Sequence, residues 1–189
     1  MRDFLKTTLF LFVFAFSVFS SAEQLTGYFH NNSGAYTIKP HSKNRIIKLF
    51  SYSVDVENIF ERLKTGDLVT LSGELTDDSF VVTAIDFIGL RDLLGIWASS
   101  SNEVFHFQSF TNVSKYLAAT DSEPQQAENY QYSLSPDEDH KWKIFLSTDS
   151  EVLIGILRIK KNTAALQLID SETGETSKDI ELTRIQGYQ

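Results

Sequence analysis

Four histidines, His30, His41, His106 and His140, are the side chains of this chain best suited to hold a metal or move a proton near neutral pH. Their spacing favours neither task. No two stand as His-x-His or at i and i+4, and no His-Glu-x-x-His run occurs, so no single strand or helix presents paired imidazoles to an ion. The chain contains no cysteine, which removes thiolate ligands, thiol nucleophiles, disulfides and lipid attachment at a cysteine. Ser33-Gly34 and Ser72-Gly73 lack the Gly-x-Ser-x-Gly surroundings of a strained nucleophile elbow. The acidic runs Asp77-Asp78 and Asp137-Glu138-Asp139 fall in turns, where carboxylates are solvated; hydrolytic carboxylates must face each other from rigid walls. Asp86 lies within an apolar strand and, if buried there, needs a partner such as Lys64 or Arg91. With no phosphate-cradling glycine loop either, the residues point to recognition: no catalytic residues, metal ligands or cofactor are expected.

Aromatic and basic side chains supply the material for recognition. Tyr28, Phe29, Tyr36, Phe50 and Tyr52 could line a strand face, with Arg45 and Lys48 giving charge beside them, although core and rim packing is the default use of such rings. His106 is the histidine inside a strand, on one face with Val104, Gln108 and Phe110; that face is either the lumen of a barrel or its outside. Ile154 and Ile156 belong to the run Val152-Leu153-Ile154-Gly155-Ile156-Leu157, which is apolar on both faces, so its outer face needs a cover, either the other half of the chain or a partner protein.

The elements that must position these residues follow a basic, then apolar, start. Arg2 and Lys6 precede an apolar run over 9–19, and Ser20-Ser21-Ala22 offers small residues for cleavage. Residues 1–22 read as a secretory signal peptide, because the run is about half the length of a membrane span. Export without cysteines fits a bacterial periplasm or bacterial secretion, with no membrane span after cleavage. The whole chain carries −8; two of its 17 basic and one of its 25 acidic residues precede the cleavage point, so the remainder is more acidic still. That charge disfavours nucleic acid as a partner.

Residues 23–89 alternate as strands over 25–29, 35–39 and 45–52. A helix follows, with Val56, Ile59, Phe60 and Leu63 on one face, then strands over 68–75 and 80–88. The order β-β-β-α-β-β, with the corner Leu63-Lys64-Thr65-Gly66-Asp67-Leu68-Val69, resembles an OB-fold, a five-stranded barrel with one helix. Residues 90–95 break the strand rhythm and read as a short ordered linker. From 96 to 189 strands are expected over 103–110, 113–118, 130–135, 141–147, 151–160, 163–170 and 176–185, an antiparallel up-and-down meander. Leu94-Gly95-Ile96-Trp97 and Leu182-Thr183-Arg184 resemble the opening and closing of lipocalin-like barrels. That resemblance implies a structural pair, Arg184 over the face of Trp97.

The expected protein is therefore mainly β: a signal peptide, an OB-fold-like barrel and a small lipocalin-like barrel. The expected function is non-catalytic binding of a protein or envelope component. Two alternatives stand beside it: a small-molecule carrier using the mouth of the second barrel, and a hydrolase or metalloenzyme assembled from distant residues.

Overall fold

The structure, a computed structural model, describes residues 22–117, 127–170, 173–176 and 179–187. All of the expected signal peptide except Ala22 lies outside the described residues. The chain builds two closed β-barrels in succession. The first contains β1 (Glu23–Asn32), β2 (Ala35–Pro40), β3 (Ile47–Ser51), α1 (Val54–Arg62), β4 (Leu68–Thr76) and β5 (Ser79–Gly89). Its strands close in the order β1-β2-β3-β5-β4, with β3 and β5 parallel and the other pairs antiparallel. Alternation sends Leu25, Phe29, Ile38, Ile47, Leu49, Val69, Leu71 and Phe80 to the core. α1 buries Val56 and Phe60 on the same core, and Phe60 meets the rings of Phe29 and Tyr36 at 5.5 and 5.2 Å.

A single 3-10 turn, Arg91–Leu93, leads into the second barrel. Its strands are β6 (Gly95–Ser99), β7 (Glu103–Phe107), β8 (Asn112–Leu117), β9 (Glu128–Pro136), β10 (Trp142–Ser147), β11 (Val152–Lys160), β12 (Thr163–Ile169) and β13 (Ile180–Gly187). Each pairs antiparallel with its neighbour in sequence, and β13 closes on β6. Tyr130, Tyr132, Leu134, Trp142, Ile144 and Leu146 point inward, while Asn129, Gln131, Ser133 and Lys143 face out. Among the described residues no helix is long and apolar enough to cross a membrane.

The expected mainly-β architecture is found, with local corrections. β6 was not foreseen as a strand, and Gly95, expected in the linker, is its first residue. β7 ends at Phe107 rather than 110 because Ser109 Oγ accepts the N–H groups of Thr111 and Asn112 and turns the chain there. Along β5 two register shifts in the β4–β5 ladder break the alternation and leave Ala84 and Asp86 exposed. Asp86 accepts hydrogen bonds from Ser72 Oγ (2.5 Å) and Gln24 Nε2 (3.2 Å), whereas Lys64 pairs with Asp92.

The two barrels meet at the end of the second where its chain enters. There Arg184 of β13 lies with Cζ 4.4 Å from the Trp97 ring and donates to the linker carbonyls of Asp92 and Leu94. Trp97, fully buried, donates Nε1–H to Leu93 O at 2.8 Å. A second arginine enters from α1: Arg62 Cζ sits 4.4 Å from the Trp142 ring and donates to the carbonyls of Asp137 and Lys141 in the β9–β10 turn. Phe110 seats on Gly89, where an added Cβ would fall 2.6 Å from the ring.

Arg62→Ala removes a desolvated cation–π contact of about 2 kcal/mol and two charge-assisted hydrogen bonds. It is expected to lower unfolding stability in urea by about 2–3 kcal/mol. Arg62→Lys, lacking the fork that reaches both carbonyls, should recover less than half. A loss under about 0.5 kcal/mol, the range of ordinary surface substitutions, would show that the stack does not join the barrels.

Candidate functional site

The β3 ladder sorts the first group of predicted residues. Ile47 and Leu49 point into the barrel, so Lys48 and Phe50 point out, and the exposed line continues to Tyr52 and Val54 at the start of α1. Ile46, Phe50, Tyr52 and Val54 are 64%, 52%, 92% and 70% exposed, an unusual concentration of large apolar side chains on one short segment. Lys48 lies within this strip, and Arg45 borders it, paired with Asp78 at 3.4 Å. Tyr36 does not join them: it points the other way, stacked 5.7 Å from Phe29 beneath α1. Ile46 and Val54 were missed because apolar residues next to Ile47 and Val56 read as core until the ladder fixes which of each pair turns inward.

His106 lies on the outside of the second barrel. Phe105 and Phe107 take the inward positions, and His106 stands between Ile96 and Ser114 on the outer face. Ser114, buried beside it, accepts from Gln108 Nε2 and donates to Asn129 Oδ1 at 2.6 Å. Among the described residues a cavity of about 60 Å³ lies in the lumen between Phe105, Tyr130, Leu146 and Leu166. At its mouth Lys115 pairs with Glu103 (3.0 Å), and Tyr130 donates to Glu128. Burial, reinforced by that carboxylate, pushes the Tyr130 phenol up to about 12.

Ile154 and Ile156 face outward on β11 and are half-buried. Ile154 stands in a cross-strand row with Phe145 and Ile169, so neighbouring strands supply part of the cover expected from elsewhere. The barrels meet away from this row, through Arg62 on the β9–β10 turn and Phe110 on Gly89.

The junction holds a cleft of about 250 Å³ lined by Glu61, Lys64, Asp67, Asp92, His140 and Trp142. Asp67 is its most constrained member. Only 1% exposed, it accepts Lys64 N–H at 2.8 Å on one oxygen and Arg91 N–H at 2.7 Å on the other, tying the α1–β4 corner to the linker. Burial pushes its carboxyl up to about 6, with the two N–H donors opposing the rise. Among the described residues no cluster of three or more His, Cys, Asp or Glu side chains could hold a metal ion. No family model, curated protein or solved structure matches this chain.

Because the folded carboxyl of Asp67 titrates near 6 and an unfolded aspartate near about 4, the native state binds this proton more tightly. The stability it contributes is full below about pH 4 and is lost as pH rises through about 6, a change of up to about 3 kcal/mol. Urea unfolding at pH 4.5 and 7.5 should show this component in the wild type and lose it in Asp67→Asn. Equal pH dependence in both proteins would refute the assignment.

Proposed function

We propose that the chain is an exported, non-catalytic binding protein of the bacterial envelope that engages a protein or envelope component through the outer face of its first barrel. The order β1-β2-β3-β5-β4, with α1 between the third and fourth strands, supports an OB-fold-like barrel in that role. An eight-stranded meander with Arg184 over Trp97 supports a lipocalin-like second barrel. The observation that carries the reading is the strip Ile46–Phe50–Tyr52–Val54 with Lys48 within it. Apolar side chains this exposed cost solubility unless a partner covers them, and aromatic residues are enriched at such interfaces. The lumen volume of about 60 Å³ gives the carrier alternative little support, since small-molecule sites occupy about 300–1,000 Å³. The hydrolase alternative gains nothing from the histidines: His106 faces outward on β7, and His140 lies in the β9–β10 turn.

Two measurements test this. Cell fractionation should find the protein outside the cytoplasm with Glu23 as its first residue; an intact N-terminus in the cytoplasm would reject export. A photo-crosslinking residue placed at Phe50 or Tyr52 in living cells should give one discrete adduct, absent when the same residue replaces Glu181 on the outside of β13. No adduct at 50 or 52, or an equal one at 181, would reject the strip as the binding face.

A further inference from the structure

We propose that a second site, the groove where β1 and β2 of the first barrel face the linker and the 108–111 turn of the second, binds a small organic anion with a flat apolar body. The groove encloses about 450 Å³, within the range of small-molecule sites. Its walls are aromatic. Tyr28, 41% exposed, has its ring stacked on His41 at 5.0 Å, and Phe110 is seated on Gly89 across the junction. Leu94 adds apolar surface between the barrels. Such walls take up a planar body by stacking and burial.

The charge of the groove runs against that of the chain. The protein has 25 acidic residues against 17 basic ones, yet among the described residues no acidic side chain lines the groove; His30, Lys39 and Arg91 do. Elsewhere basic side chains are commonly neutralised, as in Arg45–Asp78, Lys64–Asp92, Lys115–Glu103 and Lys143–Asp137. Among the described residues Lys39 and Arg91 form no ion pair. Asp67, although bound to the Arg91 backbone, directs its carboxylate to N–H groups and lines the other cleft.

The backbone sets where the two cations enter the groove. Lys39 is the cross-strand partner of Tyr28, so both side chains leave the same outer face of the β1–β2 ladder. Arg91 lies across Gly66, where a Cβ would fall 2.7 Å from its Cδ and 3.0 Å from Nη1. Gly66 has φ +98°, so the corner both requires glycine and leaves the bare backbone over which the arginine extends. A guanidinium fork beside an ammonium suits the oxygens of a phosphate or carboxylate, and the rings suit what that group is attached to. No residue of the β3 strip lines this groove, so each reading has its own test.

Calorimetric titration of the purified exported protein with phenyl phosphate, benzoate, inorganic phosphate and benzyl alcohol tests the assignment. Phenyl phosphate or benzoate should bind at least about tenfold more tightly than inorganic phosphate or benzyl alcohol, a difference that needs both ring and charge. Arg91→Gln and Lys39→Gln should each weaken that binding about tenfold. Lys48→Gln, on the β3 strip, should leave it unchanged. Far-UV circular dichroism of the Arg91 and Lys39 variants, both changed at exposed side chains, verifies that they are folded. The proposal is overturned if neither aromatic anion binds, if inorganic phosphate binds as tightly, or if Lys48→Gln weakens binding as much as Arg91→Gln.

Discussion

Two arginines, each laid over a tryptophan at the same end of the second barrel, hold this structure together. Arg184 comes from β13 and stacks on Trp97; Arg62 comes from α1 of the other barrel and stacks on Trp142. In both, the guanidinium spends its remaining donors on backbone carbonyls, of Asp92 and Leu94 in one case and of Asp137 and Lys141 in the other. Among the described residues neither Nε, both buried, has a hydrogen-bond partner. Buried cations are costly unless compensated, and here the compensation comes from π faces and carbonyls rather than carboxylates. The linker and the β9–β10 turn therefore become fixed parts of one joint, with Asp67 securing the α1–β4 corner to the same linker.

That joint fixes which surfaces of the two barrels remain open. The second barrel buries Trp97, Trp142, Phe105, Phe107 and Tyr132 in its interior. What remains available lies on outer faces: the β3 strip on the first barrel, and the groove formed only because the two barrels are held in one relative position. A groove whose walls belong to different barrels needs a stiff joint to keep Tyr28 and Phe110 at a fixed separation. The stacked arginines provide that stiffness, and so link the packing of the core to the geometry of a site outside it.

Much of the fold was legible in the sequence because it rests on local period. Tyr130, Tyr132 and Leu134 alternate with polar residues, and Val56, Ile59, Phe60 and Leu63 repeat at helical spacing. The Arg184–Trp97 contact was reached through a resemblance and is present in the structure at 4.4 Å. Its counterpart, Arg62 on Trp142, was missed, for nothing in the spacing of residues 62 and 142 announces that two barrels bring them together. The candidate site was only partly legible. Lys48, Phe50 and Tyr52 do share a surface, but Tyr36 belongs to the core, because strand parity on β2 is set by its pairing with β1.

Composition and periodicity alone determined that the chain is mainly β, that a helix interrupts its first five strands, and that thiol chemistry is absent. Those properties depend on residue type and on neighbours a few positions away, which a linear sequence displays. The tertiary structure decided which apolar residues stay exposed, that Asp67 is buried and Asp86 is not, and that His30, Lys39 and Arg91 share one groove. Each of these depends on strand register, on bulges such as those in the β4–β5 ladder, and on the docking of one barrel against another. They are sums over contacts distant in sequence, and only the folded chain evaluates them.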